Sequence, residues 1–493
     1  MPEKPVRVRY APSPTGAPHI GNIRTALFNW LFARHSGGSF VVRIEDTDME
    51  RLVPGALEQI LDSLRWLVLD WDEGPEVGGA FGPYFQSQRL PIYKEAADRL
   101  VAQGDAYVCY CSPERLDEMR REQMQRKEPP RYDRRCRFLT NEQRRARESH
   151  ELRSVVRFAV PLDGETTFHD LLRGDITYQN AVLDDFVILK SDGYPTYHLA
   201  NVTDDHLMEI SHVMRAEEWI PSTPRHVLLY HALGFEPPLF AHMPMILGPD
   251  RSKLSKRHGA TSLAAYRDQG YLPEAIFNFL ALLGWSYDER AEILSREEIV
   301  RSFTLERVGK TAAIFNIEKL DWMNGVYIRQ LGVDALADRL MPFLEAGLPP
   351  EASRPLSREY VEKIVPLIQE RLKKLDEAAD LTSFFFVEEI RYDAHLLIAK
   401  NMTAADTLRA LRIAKEKLAQ ATSFDTAHLE SILRPLAEEL NLKPGQLFGI
   451  LRVATTGRSV APPLFQTMEV LGRERCLRRV EEALMLLEPL AVG

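Results

Sequence analysis

Between Val6 and Leu31 a short strand-like run, Val6 to Tyr10, passes through Ala11-Pro-Ser-Pro-Thr-Gly-Ala-Pro-His-Ile-Gly-Asn22 into a helical pattern carried by Ile23, Ala26, Leu27, Trp30 and Leu31. A second strand-like run follows at Ser39–Glu45, and then a helix over Pro54–Leu69 with Leu57, Ile60, Leu61 and Leu64 at helical spacing. Strands joined through a helix must lie parallel, with a right-handed crossover, so the chain is expected to open as a Rossmann-like α/β unit. The same order gathers the backbone N–H groups of the turn and of the first helical turn at one point, which is a seat for phosphate. A second segment, Lys253-Leu-Ser-Lys-Arg257, puts two lysines, a serine and an arginine on what reads as a loop able to close over β- and γ-phosphates. Together the two segments point to an adenylating enzyme that uses ATP.

At 493 residues the chain is too long for one core and calls for roughly three to five structural units. No apolar run reaches the ~18 residues that span a bilayer and no charged-then-apolar leader opens the chain, so a cytoplasmic protein without a membrane partner is expected. The net charge of −9 argues against a non-specific polyanion binder, so nucleic-acid contact must use local basic surface. Arg115–Arg157 offers one, with fourteen Arg or Lys against eight Asp or Glu, although a solvated helical face laced with i,i+4 pairs reads the same way.

After Gly-Pro-Glu-Val-Gly-Gly at 74–79 the α/β pattern gives way to this basic run and to a strand-rich block from Val155 to Lys190. It resumes near Pro195, with Thr196–Asn201 leading into Ile210–Met214 and a helix over Pro224–Leu233. The expected architecture is a parallel catalytic sheet split by an α+β insertion, its halves around one cleft, followed by an all-α C-terminal part. Helical periodicity dominates beyond Ser262, as in Tyr360–Leu375 and Ala404–Ala421. The boundaries read as 1–84 and 196–251 for the two catalytic halves, 85–195 for the insertion, 252–332 for the region with the lysine loop, and 333–391 and 392–493 for two helical domains.

Activating a carboxylic acid through ATP needs positive charge at the polyphosphate, a small-residue turn beside the nucleotide, and the acid held in line. Gly16 and Gly21 provide close approach, and His19 can donate a hydrogen bond to phosphate. Five segments then stand in order: Arg9-x-Ala-Pro-Ser-Pro-Thr-Gly-x-x-His-x-Gly; Val42-Arg-Ile-Glu-Asp-Thr-Asp; Tyr194-Pro-Thr-Tyr-His-Leu-Ala-Asn; Met214-Arg-Ala-Glu-Glu-Trp; and the loop Leu-Ser-Lys-Arg. This series resembles the class I glutamyl-tRNA synthetases, closely over residues 1 to about 330 and more loosely beyond. The class signatures HIGH and KMSKS read HIGN and KLSKR here, so Asn22 departs from the final histidine.

The resemblance implies that Arg9 and Arg215 hold glutamate, with Ala11, Ser13, Glu45, Tyr197 and Asn201 around it and Glu45 facing the α-ammonium. It further implies that His19, Gly21, Asn22, Glu218, Lys253, Leu254, Ser255, Lys256 and Arg257 bind ATP with its Mg2+, and that His19 and Lys256 carry the catalysis. Two guanidiniums suit a side-chain carboxylate, since their forks match its oxygens bidentately, whereas the amide of glutamine would oppose N–H to N–H at a penalty of about a few kcal/mol. Partners implied are L-glutamate and tRNA(Glu), with tRNA(Gln) a second acceptor left open and a monomer expected. The insertion would grip the acceptor end, the region 252–332 the stem, and the helical domains the anticodon, with Arg371 a candidate reader.

Cys109-x-Cys111 and, after twenty intervening residues, Tyr132-x-x-x-Cys136 fit a zinc site of three thiolates and one tyrosine oxygen, similar to a pattern in some of these synthetases and their queuosine-related paralogues. Three free thiols beside an unrelated tyrosine is the alternative. If zinc binds, its role is structural. Among rival functions, the queuosine-modifying paralogue lacks the ~160 residues after 330, glutaminyl-tRNA synthetase reads anticodons with β-barrels, and a catalytically silent tRNA-binding scaffold would not need His19, Lys253 and Lys256.

Overall fold

A computed structural model of the protein describes residues 5–148, 153–254, 262–288 and 290–492. They form two compact units, Met1–Tyr266 with Pro273–Ile317, and Arg267–Leu272 with Glu318–Gly493.

In the first unit β1 (Arg7–Tyr10) and β2 (Ser39–Val42) pair in parallel, Arg7 opposite Ser39 and Tyr10 opposite Val42, with α1 (Ile20–His35) between them in sequence. The helix α2 (Ala56–Trp66) is one-sided, burying Ile60, Leu61 and Leu64. The insertion starts with α3 (Leu90–Gln103) and β3 (Ala106–Cys109), continues through α4 (Pro113–Gln125) and α5 (Asn141–Glu148), and closes with β4 (Val155–Phe158), β5 (Glu165–Asp170), β6 (Gly174–Gln179) and β7 (Val187–Leu189). The second half brings α6 (Tyr197–Leu207), β8 (His212–Ala216), α7 (Thr223–Ala232), β9 (Leu239–Met243) and β10 (Ile246–Leu247). Then come α8 (Leu263–Asp268), α9 (Pro273–Leu282), α10 (Arg296–Ser302) and β11 (Ala313–Ile314), the last parallel to β10.

β8 and β9 run parallel with Arg215 opposite His242. Ser211, just before β8, ties this half to β1: its backbone N–H donates to Arg7 O at 2.9 Å and its hydroxyl accepts from Arg7 N at 2.7 Å. The insertion is woven into the sheet, because β5 pairs with β6 antiparallel and with β9 in parallel at Asp170 opposite Phe240. The separate sheet β3-β4-β7 is antiparallel throughout.

The apolar spacing of α1 suggests one buried face, yet the helix is interior. Ile20, Ile23, Ala26, Leu27, Phe28, Leu31 and Ala33 are all buried, because strands β1, β2 and β8 cover one side and α9 and α10 the other. Phe28 meets Phe303 edge-on at 5.3 Å, and each such fully buried ring contributes about 1.5–3 kcal/mol from apolar area alone. Arg24 is buried with it, and two of its guanidinium nitrogens donate to carbonyls, Nη1 to Leu283 O at 3.1 Å and Nη2 to Pro244 O.

The second unit is helical: α11 (Ile317–Gln330), α12 (Val333–Gly347), α13 (Arg358–Ile368), α14 (Glu377–Phe386), α15 (Ala404–Gln420), α16 (Thr426–Glu439), α17 (Pro444–Thr456), α18 (Leu464–Leu471) and α19 (Arg473–Val492). Asn324 on α11 holds the segment 267–272 in this unit, accepting from Leu272 N at 2.8 Å and donating to Lys373 O at 2.6 Å. Buried Arg479 on α19 clamps three carbonyls, Thr455 O at 2.6 Å and Phe384 O and Val387 O at 2.7 Å. The helix expected over Tyr360–Leu375 stops early: α13 ends at Ile368, and Arg371 closes a single 3-10 turn, Gln369–Arg371. The Gln369 side chain donates through Nε2 to Ile328 O and Leu331 O. No helix among the described residues is long and apolar enough to cross a membrane.

Candidate active site

The carboxyl ends of β1, β2 and β8 and the start of α6 surround a cleft of about 720 Å³. Arg9, Ala11, Ser13, Asn22, Glu45, Tyr197, Asn201, Arg215 and Glu218 all line it, which unites residues from four of the five sequence segments. A smaller recess of about 90 Å³ beside it is lined by Gly16, His19 and Asn22. Lys253 joins this end through its ion pair to Glu218 at 2.8 Å, and Leu254 is buried next to it in sequence. Ser255, Lys256 and Arg257 lie outside the described residues.

His19 is the N-cap of α1. Its Nδ1 accepts from Gly21 N at 3.1 Å, which fixes the neutral tautomer and leaves Nε2–H as the donor. Burial, followed by the charge of Lys253, holds its pKa below the usual imidazole value. The cap and the candidate phosphate donor are therefore one side chain using its two nitrogens. Gly16 has φ of +142°, a conformation that requires glycine, while a Cβ on Gly21 would meet only the His19 ring at 3.4 Å.

The two arginines proposed for glutamate are not equivalent. Arg9 is forked onto Asp205, Nε to Oδ1 at 3.1 Å and Nη2 to Oδ2 at 3.3 Å. Asp205 also takes Arg43 Nη1 at 2.7 Å, and Arg43 Nη2 reaches Glu45 at 3.3 Å. Burial alone would raise Asp205, but Arg9 and Arg43 outweigh it and hold its carboxyl below the usual value. Asp204 anchors a second layer, accepting from Arg89 Nε at 2.7 Å, Gln86 Nε2 at 2.9 Å and the Tyr93 hydroxyl at 2.7 Å. Asn201, with its amide turned so that the oxygen accepts from Arg9 and Arg43 and the nitrogen donates to Asp205, closes the network at 3.2 Å each. Glu45 is pushed up by burial, which Arg43 and Arg9 oppose, so an arriving cation would stabilise its charged form.

Arg215 is buried and held differently. Its Nη1 donates to the Tyr197 hydroxyl at 3.0 Å and to His226 Nδ1 at 3.2 Å, Nη2 to Thr223 Oγ1 at 2.8 Å, and Nε to His242 Nε2 at 3.1 Å. Tyr197, pushed up by burial, also packs against Trp219 with ring centroids 4.4 Å apart and tilted by 37°, and lies in the fields of Arg215, Glu45 and Arg9. Beyond the residues expected from sequence, the structure adds Arg43, Asp204, Asp205, Trp219, His226 and His242. Arg43 and Trp219 were present inside the Val42–Asp48 and Met214–Trp219 segments. Asp204, Asp205, His226 and His242 carried no local signal, because their partners are far along the chain.

A second cluster joins Cys109, at the end of β3, to Cys111, Tyr132 and Cys136. The three thiols lie within 4.8 Å of one another. Tyr132 Oη is 3.3 Å from Cys109 Sγ and 3.5 Å from Cys111 Sγ, and the sulfurs of Cys111 and Cys136 are 3.6 Å apart. A tetrahedral ion with Zn–S bonds of about 2.3 Å spaces its sulfurs by about 3.8 Å, so these residues fit around one metal ion. Arg157 caps the cluster, its guanidinium 4.0 Å above the Tyr132 ring. In the second unit Arg371 lies within electrostatic reach of Arg452, whose Nε is buried without a hydrogen-bond partner among the described residues.

The chain matches the family of class I tRNA synthetases (E and Q), catalytic domain, over residues 5–322, and an anticodon binding domain over residues 335–484. It is 62% identical to a glutamate–tRNA ligase of Dehalococcoides mccartyi over 97% of both chains, and 51% identical to one of Moorella thermoacetica over 97% of this chain and 98% of that one. Among solved structures, a glutamate tRNA ligase from Elizabethkingia meningosepticum in complex with its amino acid superposes with a TM-score of 0.88 at 36% identity, covering 99% of this chain and 100% of that one.

Proposed function

The chain belongs to the class I tRNA synthetases specific for glutamate and glutamine, and from that premise we propose how its own residues carry out glutamate–tRNA ligation. The activity is ATP-dependent attachment of glutamate to tRNA. The α-carboxylate of glutamate attacks the α-phosphorus of ATP, pyrophosphate leaves, and a terminal ribose hydroxyl of tRNA, the 2′-hydroxyl by class behaviour, displaces AMP from glutamyl-adenylate. No covalent enzyme intermediate is needed, so catalysis rests on positioning and charge neutralisation.

In this reading Arg215 and Tyr197 take the side-chain carboxylate of glutamate, Asn201 and Ser13 stand beside it, and Glu45 takes the α-ammonium. Arg9 contributes one nitrogen, Nη1, because Asp205 already occupies its fork. The observation that carries the assignment is a buried guanidinium, Arg215, that faces the cleft with no carboxylate within 4.0 Å among the described residues. His19 Nε2–H and Lys253 meet the ATP phosphates, Mg2+ neutralises them further when bound, and Lys256 and Arg257 of the loop complete the charge. Cys109, Cys111, Tyr132 and Cys136 would hold a structural Zn2+ that fixes the insertion. The acceptor is tRNA(Glu) and the working form a cytoplasmic monomer, with Arg371 reading the anticodon together with Arg452.

A charging assay with separated tRNA(Glu) and tRNA(Gln) tests this. Glutamate and not glutamine is attached to tRNA(Glu) in the presence of ATP, and Lys256→Ala loses a large factor in rate with little change in the KM for glutamate. Wild-type activity in that variant would remove the loop from the mechanism.

A further inference from the structure

Three adjacent strands carry a row of groups of which only Arg215 stood in a sequence segment. Asp170 ends β5, His242 lies on β9, and Arg215 on β8 is the direct cross-strand partner of His242. Asp170 Oδ2 accepts twice from His242, from the backbone N–H at 3.0 Å and from Nδ1 at 2.6 Å. With its proton on Nδ1 the ring must present the lone pair of Nε2, which takes the Arg215 Nε–H at 3.1 Å. On the other side His226 Nδ1 accepts from Arg215 Nη1, so its Nε2–H points to His198 Nδ1 at 3.0 Å. Arg215 is thus gripped on several donors, yet every acceptor that grips it is neutral.

The contrast with its neighbours is what makes this informative. Of the arginines lining the cleft, Arg9 is paired with Asp205 and Arg51 with Asp48, whereas Arg215 has no direct carboxylate among the described residues. A carboxylate in direct contact would fix the guanidinium equally well but would cancel its charge where the substrate arrives. Imidazole nitrogens fix it without doing so. Of the five N–H bonds of a guanidinium, one on Nη2 is left unclaimed, and Tyr197, which accepts from Arg215, keeps its own O–H to donate. The guanidinium has no acceptor to offer and the Tyr197 hydroxyl adds a further donor, which suits two carboxylate oxygens better than the NH2 of an amide.

We propose that His242, oriented by Asp170, and His226 are positioning residues that set the preference for glutamate over glutamine by fixing Arg215 through neutral acceptors alone. The inference rests on the reading that Arg215 holds the substrate side chain. It is tested in the full-length enzyme by charging kinetics with glutamate and with glutamine, alongside thermal melts. His242→Phe, which keeps the ring and removes the acceptor, raises the KM for glutamate by about ten- to a hundredfold, the size of one hydrogen bond to a charged group. It narrows the glutamate-to-glutamine ratio of kcat/KM by a similar factor while the KM for ATP stays within about twofold. His242→Gln, whose amide oxygen can meet Arg215 Nε, recovers part of the loss, and His226→Gln behaves as a milder His242→Phe. A folded His242→Phe enzyme with wild-type glutamate KM and preference, beside an Arg215→Gln enzyme that has lost both, overturns the proposal alone. An Arg215→Gln enzyme with unchanged glutamate KM overturns the underlying reading as well. Should His242→Phe not fold, His226→Gln carries the same readout, and unchanged selectivity there overturns the proposal.

Discussion

Gly16 and Gly21 sit five residues apart in one turn, and different physical reasons keep a side chain out of each. At Gly16 the backbone itself demands glycine, with φ at +142°. At Gly21, the second residue of α1, a Cβ meets nothing closer than the His19 ring at 3.4 Å, so the protein alone tolerates alanine. Gly21→Ala should therefore leave the melting temperature unchanged or slightly higher, given the helix preference of alanine, while the KM for ATP rises about tenfold or more as the methyl group enters the nucleotide's space. Gly16→Ala should instead lower stability by about 1 kcal/mol or more in a urea titration. If Gly21→Ala destabilises and leaves ATP binding alone, the assignment of that turn to the nucleotide is wrong. The sequence made both glycines legible as a close-approach turn but could not separate strain from space, since the two look alike without φ.

Among the elements, the stretch from β3 through α4 to Cys136 has its ends joined by side-chain chemistry, the sulfurs of Cys111 and Cys136 being 3.6 Å apart. Its local core is small, built on Tyr107, Cys109, Tyr132 and Cys136, and α4 buries no residue of its own. Such an element needs another source of stability. Metal analysis of the purified protein should find about one zinc per chain, lost in Cys111→Ser, with increased protease cleavage in 110–137. Protein free of metal in which that segment resists protease equally well would mean that the thiols and the Arg157–Tyr132 stack suffice. The basic excess read over Arg115–Arg157 is narrower in the folded element than in the sequence. Arg115 pairs with Asp133, Arg120 with Asp117, Arg126 with Glu122 and Glu128, and Arg134 with Asp185, which leaves Arg121, Lys127, Arg135 and Arg145 as exposed cations with no ion pair among the described residues.

At the scale of the whole molecule, folding withdraws three neutral histidines of the catalytic unit from water. Burial, followed by nearby arginines, holds His198 at about 3 and His226 well below the ordinary value of 6.5. Burial brings His242 to about 4 against the opposing effect of its hydrogen bond to Asp170. Because their folded values are depressed, the unfolded chain binds the protons first. The stability these groups support is complete above about pH 6.5 and is lost as pH falls toward 4, at about 1.4 kcal/mol per pH unit for each. Urea midpoints of the full chain should fall steeply from pH 7 to pH 5, and His226→Gln should show a shallower slope; a flat profile would mean that these rings are not buried neutral. What the sequence by itself determined was whatever repeats or clusters within a few residues: the strand–turn–helix start, the insertion, the helical C-terminal part, and the segments that carry Arg9, His19, Glu45, Tyr197 and Arg215. Short-range periodicity and turn chemistry encode these directly. Only the tertiary structure decided that α1 is interior, that β5 joins β9, and that Arg9 is tied to Asp205 while Arg215 is left to neutral imidazoles. A buried charge takes its character from partners brought together by folding, such as Arg215 and Asp170 on either side of His242, and their spacing along the chain does not disclose that contact.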